Sequence, residues 1–300
     1  MAQEKYVAYV GTYTHENSIG IHVYDIDMEK GKLTERSVAP ISNPSNIAVA
    51  HSGKYLYSIE DEGVASFSID ENGDLTKINQ AWIGGMRACY VEIDSNDRYL
   101  FLAGFHDGKV TMMRLNEDGS IAGIADGVFH QGVGKSSVEK RMDPRVSCTK
   151  LTPDEKYLCA VDWGLNQIKI YEVDYEEGKL HLYDILRFPF NSAPRRIRFS
   201  KDGKFAYVLE ETTNMVDIYT YDLREGKPVF EKIKTTSVLE KEDSLASGSA
   251  LEFAPDGKYL YVSLDGANEV VCLAVGEDGL ISIEETTKIS GDYPKCITIL

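Results

Sequence analysis

Short runs of alternating apolar and polar residues, separated by turn residues, make up most of this 300-residue chain. The clearest example is the stretch 193–222, APRRIRFSKDGKFAYVLEETTNMVDIYTYD, which contains three such runs. The turn SKDGK separates the first two runs, and an acidic corner at Glu210 and Glu211 separates the last two. Alternation with a period of two residues is typical of β-strands, and Gly, Asp, Asn and Pro favour turns. The stretch therefore predicts a meander of antiparallel strands.

The same strand–turn–strand unit recurs five times along the chain. Its copies are NIAVAHSGKYLYSIED (46–61), CYVEIDSNDRYLFLAG (89–104), SCTKLTPDEKYLCAVD (147–162), RIRFSKDGKFAYVLEE (196–211) and ALEFAPDGKYLYVSLD (250–265). Each copy is followed by a third alternating run and, after a second turn, by a fourth, so that the unit spans roughly 50 residues. Repeated four-stranded units of this length predict an all-β fold, a β-propeller.

The two ends of the chain are incomplete copies of the unit. The N-terminal segment YVAYVGTYT…GIHVYDIDMEKGKLTE has the pattern of a second, third and fourth strand, and the C-terminal YPKCITIL has the pattern of a first strand. Pairing of these terminal strands would close the propeller and remove its exposed sheet edges. The pattern counts six blades, or seven if YPKCITIL begins a further, incomplete blade. No linker interrupts the pattern, so we expect a single domain over residues 1–300.

Composition narrows the functional classes. The 32 basic and 48 acidic residues give a net charge of -16, which disfavours nucleic acid as a partner but permits a local site for a small anion. The five cysteines are scattered without metal-ligand spacing, which predicts reduced thiols and neither a metal nor another cofactor. The N-terminus has no apolar signal core and no run is long enough to span a membrane, so we expect a cytoplasmic protein that binds no membrane. The pattern leaves the oligomeric state open.

Ionisable residues concentrate at one end of the predicted hairpins. Because the two strands of a hairpin are antiparallel, the start of the first strand and the end of the second lie at the same edge. The candidates at this edge are Arg87, Arg145, Ser147, Arg195 and Arg196 at first-strand starts, and Glu60, Asp162 and Glu211 at second-strand ends. Convergent ionisable groups of this kind predict a ligand site. The alternative is a rim of charges that only pair with each other.

Hydrolysis of an ester or lactone is the chemistry that these residues suit. Attack of water on a lactone carbonyl needs a general base and a positive group near the developing oxyanion. Glu211 and Arg195 supply such a pair. Arg145, with Lys135 and Arg141, could hold an anionic substituent.

Motifs in consecutive order resemble the lactonase family of seven-bladed β-propellers, the bacterial 6-phosphogluconolactonase type, related to a fungal muconate-lactonizing enzyme. They are YVGTYT…GIHVYDID, NPSNIAV, VDWGLNQIKIYEVD and APRRIRF…AYVLEETTNMVDIY, and they cover the chain from end to end. The resemblance implies a catalytic set of a His, an Arg and a Glu. Arg195 and Glu211 match the last two, and Ser147 stands at the His position. A second family His corresponds to Arg196, and a further family Arg corresponds to Asp265.

The resemblance and the residues together predict a hydrolase of an anionic sugar lactone, with Glu211 as base and Arg195 as electrostatic stabiliser. We expect the remaining candidates to contact the substrate; these are Arg145, Arg196, Ser147, Asp162, Glu60 and Arg87. The alternative is a propeller that has lost catalysis, since Ser147 and Asp265 replace two groups of the family set, and that binds a small anionic metabolite or a protein partner. A lyase or isomerase acting on lactones is a third possibility.

Overall fold

β-Strands are the only regular elements among the described residues of the computed structural model, which are 6–15, 17–132 and 143–299. The chain forms two compact units. The first contains the residues up to Gln131 together with Asp174–Leu180, and the second contains Gly132–Val173 and the residues from His181 onward. The single domain expected over residues 1–300 stays a prediction. No helix in these described ranges is long and apolar enough to cross a membrane.

The first unit contains three antiparallel meanders. The three-stranded sheet consists of β1 (Tyr6–Val10), β2 (Gly20–Asp27) and β3 (Lys32–Pro40). The two four-stranded sheets consist of β4 (Ile47–Val49), β5 (Tyr55–Glu60), β6 (Gly63–Ile69) and β7 (Leu75–Trp82), and of β8 (Tyr90–Ile93), β9 (Tyr99–Ala103), β10 (Lys109–Leu115) and β11 (Ile121–Phe129). In every sheet the strands pair in chain order.

The second unit contains three four-stranded meanders. They consist of β12 (Val146–Leu151), β13 (Tyr157–Asp162), β14 (Gln167–Asp174) and β15 (Lys179–Arg187), then of β16 (Pro194–Phe199), β17 (Phe205–Glu210), β18 (Met215–Arg224) and β19 (Lys227–Ser237), and finally of β20 (Ser247–Phe253), β21 (Tyr259–Asp265), β22 (Glu269–Val275) and β23 (Ile281–Lys288). The turn from β14 to β15 belongs to the first unit. All five predicted hairpins and the three-stranded N-terminal sheet are confirmed.

The C-terminal segment differs from its predicted structure. Residues 289–299 belong to no strand, and the sheet of β1 has three strands, so the predicted pairing of the terminal segments is not formed in the described part of the chain. Side chains near the end of β21 bind the backbone of this segment instead. The Tyr293 amide donates to Asn268 Oδ1 at 2.8 Å, and Ser263 Oγ donates to the Pro294 carbonyl at 2.8 Å.

The core lies between the faces of adjacent sheets. The second strand of a sheet is buried on both faces: every residue of β9 and of β13 is buried. Strands with two buried faces read as nearly continuous apolar runs, which explains sequences such as YLFLA and YLCAV. In the second unit, Leu209 of β17 packs in one apolar cluster with Leu251 and Leu264 of the next sheet. Burial of this cluster positions the strands that end at the candidate site.

Tyrosines in several second strands bind a turn of a neighbouring sheet. Tyr207 of β17 donates its hydroxyl to the Gly279 carbonyl at 2.8 Å, in the turn before β23. Tyr57 of β5 makes the equivalent bond to the Gly119 carbonyl at 3.1 Å, in the turn before β11. Burial raises the pKa of the Tyr207 phenol, so the group stays a neutral donor. The aromatic residues of the sequence repeat therefore serve packing between sheets.

We expect the substitution Tyr207→Phe to lower the free energy of unfolding by about 1–2 kcal/mol, because it leaves the buried Gly279 carbonyl without its donor. Urea denaturation followed by circular dichroism measures the effect. The matched control is Tyr259→Phe on β21, where the side chain is 37% exposed and the change is expected to stay within about 0.5 kcal/mol. Equal stability of the Tyr207→Phe variant and the parent protein would contradict a role for this bond.

Candidate functional site

A β-bulge lies near the start of the first strand in each sheet of the second unit. The bulges take Ser147 of β12 and Arg195 of β16 out of the regular pairing, and they displace Ser249 in β20. An extra residue bends its strand and turns its side chain away from the regular alternation. The three bulges therefore decide where these side chains point, which the sequence pattern alone does not.

The turn that leads into β16 holds its backbone in an unusual conformation. Ala193 has a φ of +53°, in the left-handed region that a non-glycine residue rarely adopts, and its amide donates to Asn166 Oδ1 at 2.9 Å. Tyr293, which also precedes a proline and a basic residue, has a φ of +55°. The residue before Pro-Lys in the C-terminal segment thus has the same positive φ as the residue before Pro-Arg at the start of β16.

Arg195 and Glu211 form the central pair of the candidate site. The Arg195 Nη1 donates to Glu211 Oε2, and the Arg195 Nε donates to the Ser249 carbonyl at 3.1 Å. The two side chains are 19% and 22% exposed, so solvent and small ligands can reach them. Two backbone hydrogen bonds hold Glu211: its amide donates to the Ala193 carbonyl at 2.9 Å, and its carbonyl accepts from the Gly248 amide at 3.2 Å. The pair is therefore fixed in place and accessible.

Ser147 and Arg196 connect the neighbouring sheets beneath this pair. Ser147 Oγ donates to the Arg195 carbonyl at 2.9 Å, and Arg196 Nη1 donates to the Ser147 carbonyl at 2.5 Å. Ser147 is 4% exposed. Its hydroxyl is thus used to position Arg195, and a serine hydroxyl cannot replace the proton transfer of an imidazole at neutral pH.

Lys295 and Asp265 lie beside the central pair. The sequence pattern places both at this same edge of the hairpins, but the predicted site residues do not include them. The Lys295 ammonium pairs with Asp265 Oδ2. Burial lowers the pKa of Lys295, the Arg195 charge lowers it further, and the Glu211 charge opposes both effects. At the position where the family resemblance implies an Arg, the structure thus places a carboxylate paired with a lysine. The repetition of Pro-Arg at 194–195 as Pro-Lys at 294–295 is the sequence signal that could have identified Lys295.

Asp162 and Arg145 lie together in the first sheet of the second unit. The fully buried Asp162 accepts hydrogen bonds on Oδ1 from the amides of Arg145 and Leu165, at 2.9 and 3.0 Å. The Arg145 guanidinium lies over the Trp163 ring, 5.7 Å from its centroid. Asp162 therefore stabilises the turn after β13. That it also contacts a substrate stays a prediction.

Glu60 and Arg87 belong to the first unit. Glu60, whose side chain is 8% exposed, lies 3.6 Å from Lys77 Nζ. Arg87 donates to the Asn43 carbonyl and to Ser45 Oγ, at 2.5 and 2.8 Å. A polar cleft of about 370 Å³ is lined by Ile41, Ser42, Glu60, Asp61, Glu62, Lys77 and Gln80. Arg87 Nε lies 3.7 Å from Asp61 Oδ1, the neighbour of Glu60 in the lining of this cleft, and among the described residues Glu60 and Arg87 form no ion pair with each other.

Two further candidates, Lys135 and Arg141, lie outside the described residues. Within the described ranges, no group of three or more His, Cys, Asp or Glu side chains is placed to hold a metal ion. The five cysteines are free thiols, and two of them, Cys148 and Cys159, are buried.

Comparisons with known proteins all find lactonases or proteins of the same fold. Residues 7–299 match the family described as "Lactonase, 7-bladed beta-propeller". A 6-phosphogluconolactonase of Bacillus subtilis is 32% identical over 299 residues, which cover 97% of this chain and 84% of that protein. A solved structure titled as a periplasmic gluconolactonase of Pseudomonas aeruginosa is 28% identical, with a TM-score of 0.88 over 97% of this chain and 84% of that one. A solved protein of Lactobacillus plantarum, also 28% identical, gives a TM-score of 0.87 over 98% of this chain and 85% of that one.

The family description names seven blades, whereas the described residues of this chain form six sheets. The cytoplasmic location and the lack of nucleic-acid and membrane partners stay predictions from the sequence.

Proposed function

The chain belongs to the lactonase family of seven-bladed β-propellers, and on this premise we propose that it hydrolyses a sugar lactone of the 6-phosphogluconolactone type at the Arg195–Glu211 pair. One observation carries the proposal: a bulge aims Arg195 at Glu211, and both side chains stay within reach of solvent. A cation and a carboxylate in contact are the two groups that hydrolysis of an ester requires.

Glu211 is the general base of the proposed reaction. It removes a proton from a water molecule while the water oxygen forms a bond to the lactone carbonyl carbon. The tetrahedral intermediate carries its negative charge on the former carbonyl oxygen, and Arg195 stabilises that charge. For this the substrate oxygen must take over one guanidinium N–H that now contacts Glu211, which also releases the carboxylate to act on water.

Breakdown of the intermediate needs a proton for the leaving group. The bond between the carbonyl carbon and the ring oxygen breaks, and the ring oxygen accepts the proton that Glu211 took from water. The product is the open-chain hydroxy acid, so water is consumed and no other reactant is required. One carboxyl group thus acts first as base and then as acid. Use of one carboxyl group for both proton transfers fits a site that has Ser147 at the position of the family His, with its hydroxyl hydrogen-bonded to the Arg195 carbonyl.

The test compares the purified protein with its Arg195→Ala variant on a panel of sugar lactones, including glucono-δ-lactone and its 6-phosphate. Acid release in a pH-stat, corrected for spontaneous opening, measures the rate. We expect turnover above background that falls roughly 10²- to 10³-fold in the variant, the usual loss when an oxyanion-stabilising group is removed. The matched control is Arg224→Ala, which removes an ion pair 56% exposed on β18 and β19.

Two results would contradict the proposal. One is a parent protein that is inactive across the panel, which would favour a propeller that only binds its ligand. The other is a parent protein whose activity survives Arg195→Ala unchanged.

A further inference from the structure

We propose that Lys295 is a second substrate-binding cation of this site and that it makes the protein prefer lactones with an anionic substituent over neutral ones. For its kinetic part the inference rests on the proposed function, whereas its binding part stands without it. The argument starts from the position of the Lys295 side chain.

Lys295 reaches the site from the C-terminal segment, which the end of β21 holds in place. Ser263 Oγ donates to the carbonyl of Pro294, directly before Lys295, and the Tyr293 amide donates to Asn268 Oδ1. The Asp265 carboxylate then pairs with the ammonium. Three contacts from one hairpin thus fix the backbone and the charged end of this lysine. A group held in this way can select a ligand without losing much conformational entropy on binding.

Lys295 is much more exposed to solvent than Asp265, with which it pairs. The Lys295 side chain is 59% exposed, whereas the Asp265 side chain is 13% exposed. A ligand in the site therefore meets the ammonium and not the carboxylate behind it. Asp265 is a positioning residue, and Lys295 is the group that contacts the ligand.

Lys295 and Arg195 are placed to bind the same anionic group. Ser263 Oγ donates to the carbonyl before Lys295 and accepts from an amide of β20, and the Ser249 carbonyl of β20 accepts from Arg195 Nε at 3.1 Å. The Arg195 charge lowers the pKa of Lys295, and the Glu211 charge partly opposes this effect. An anionic group that contacts both cations reduces the repulsion between them and forms charge-assisted hydrogen bonds with N–H donors that now contact carboxylates.

Glucono-δ-lactone and its 6-phosphate form the sharpest pair of substrates, since they differ only in the phosphate. We expect Lys295→Gln to raise KM for the phosphorylated lactone about 10- to 100-fold with little change in kcat. The KM for the neutral lactone is expected to change less than about threefold, and Lys295→Arg should restore most of the preference. The control is Lys201→Gln, a lysine of the same unit that donates to the Pro255 carbonyl in the turn after β20.

Binding of inorganic phosphate, measured by isothermal titration calorimetry, gives a second readout. The parent protein and Lys201→Gln are expected to bind phosphate, and Lys295→Gln is expected to lose that binding. Because Lys295→Gln leaves the buried Asp265 charge unpaired, the double variant Lys295→Gln with Asp265→Asn is measured beside it, and both are checked by thermal denaturation.

The outcomes separate the two proposals. A parent protein that binds phosphate through Lys295 but hydrolyses neither lactone contradicts the proposed function and supports the anion site. Equal losses on both lactones, or phosphate binding that survives in both Lys295 variants, would overturn the inference. So would a folded parent protein that binds no phosphate and shows no preference for the phosphorylated lactone.

Discussion

Lactone hydrolysis by the Glu211→Gln variant is expected to be about 10²- to 10⁴-fold slower than by the parent protein, because the amide cannot accept the proton of the attacking water. Glutamine has the shape of glutamate, and its carbonyl oxygen can still accept a hydrogen bond from Arg195. The substitution therefore removes the base and changes little else. Rates of acid release over a range of substrate concentrations measure the effect, which should appear in kcat.

The matched control for this experiment is Glu231→Gln. Glu231 also pairs with an arginine, at 2.8 Å from Arg224, but both side chains are 56% exposed at the outer part of the same sheet. The activity of the Glu231→Gln variant is expected to equal that of the parent protein. A Glu211→Gln variant with full activity would show that another group removes the proton. Circular dichroism of both variants establishes that they are folded.

Leu209→Ala is expected to lower the free energy of unfolding by about 3 kcal/mol, within the 2–5 kcal/mol usual for such a substitution in a core. Leu209 is fully buried in β17, in the apolar cluster that it forms with residues of the next sheet. Alanine would leave a cavity two residues before Glu211. Urea denaturation measures the loss, and activity under strongly native conditions should be reduced less than in Glu211→Gln.

The same substitution at an exposed leucine is the control. Leu182 on β15 is 54% exposed, and Leu182→Ala is expected to change the stability by less than about 0.5 kcal/mol. A similar loss for the two variants would contradict the assignment of Leu209 to the core. A loss below about 1 kcal/mol for Leu209→Ala would indicate that the two sheets close the cavity by moving together.

Ser147 changes the interpretation of the missing histidine. From the sequence, its position in the family set suggested lost catalysis. In the structure its hydroxyl bonds to the carbonyl of Arg195, the residue that the proposed reaction uses. Ser147 thus orients a neighbouring residue, and in the proposed reaction the proton transfers fall to Glu211 alone. Asp265 stands where the resemblance implies an Arg, and it pairs with Lys295 from another segment of the chain.

The strands, their order and the edge at which the ionisable groups collect can all be predicted from the amino-acid sequence. These features depend on local chemistry, because period-two alternation, turn residues and antiparallel pairing each act within a few residues. The hairpin 196–211 was predicted on this basis, and its strands pair with Arg196 opposite Leu209. Arg195 and Glu211 were predicted to reach the same edge, and they are in contact.

The contacts that each of these residues makes at the edge depend on the packing of one sheet on another. A bulge in β16 sets the direction of the Arg195 side chain. The hydrogen bond from Ser147 to Arg195 and the ion pair of Lys295 with Asp265 join residues that are distant in sequence. The strand pattern does not specify such contacts, since they depend on how one meander packs on the next; for Lys295 the repeated Pro-Arg and Pro-Lys pairs are the one sequence signal. The same holds for Asp162, an apparent site carboxylate whose Oδ1 binds two backbone amides. Local patterns specify which residues meet at the edge, and packing between sheets specifies which of them are bonded within the protein and which stay exposed.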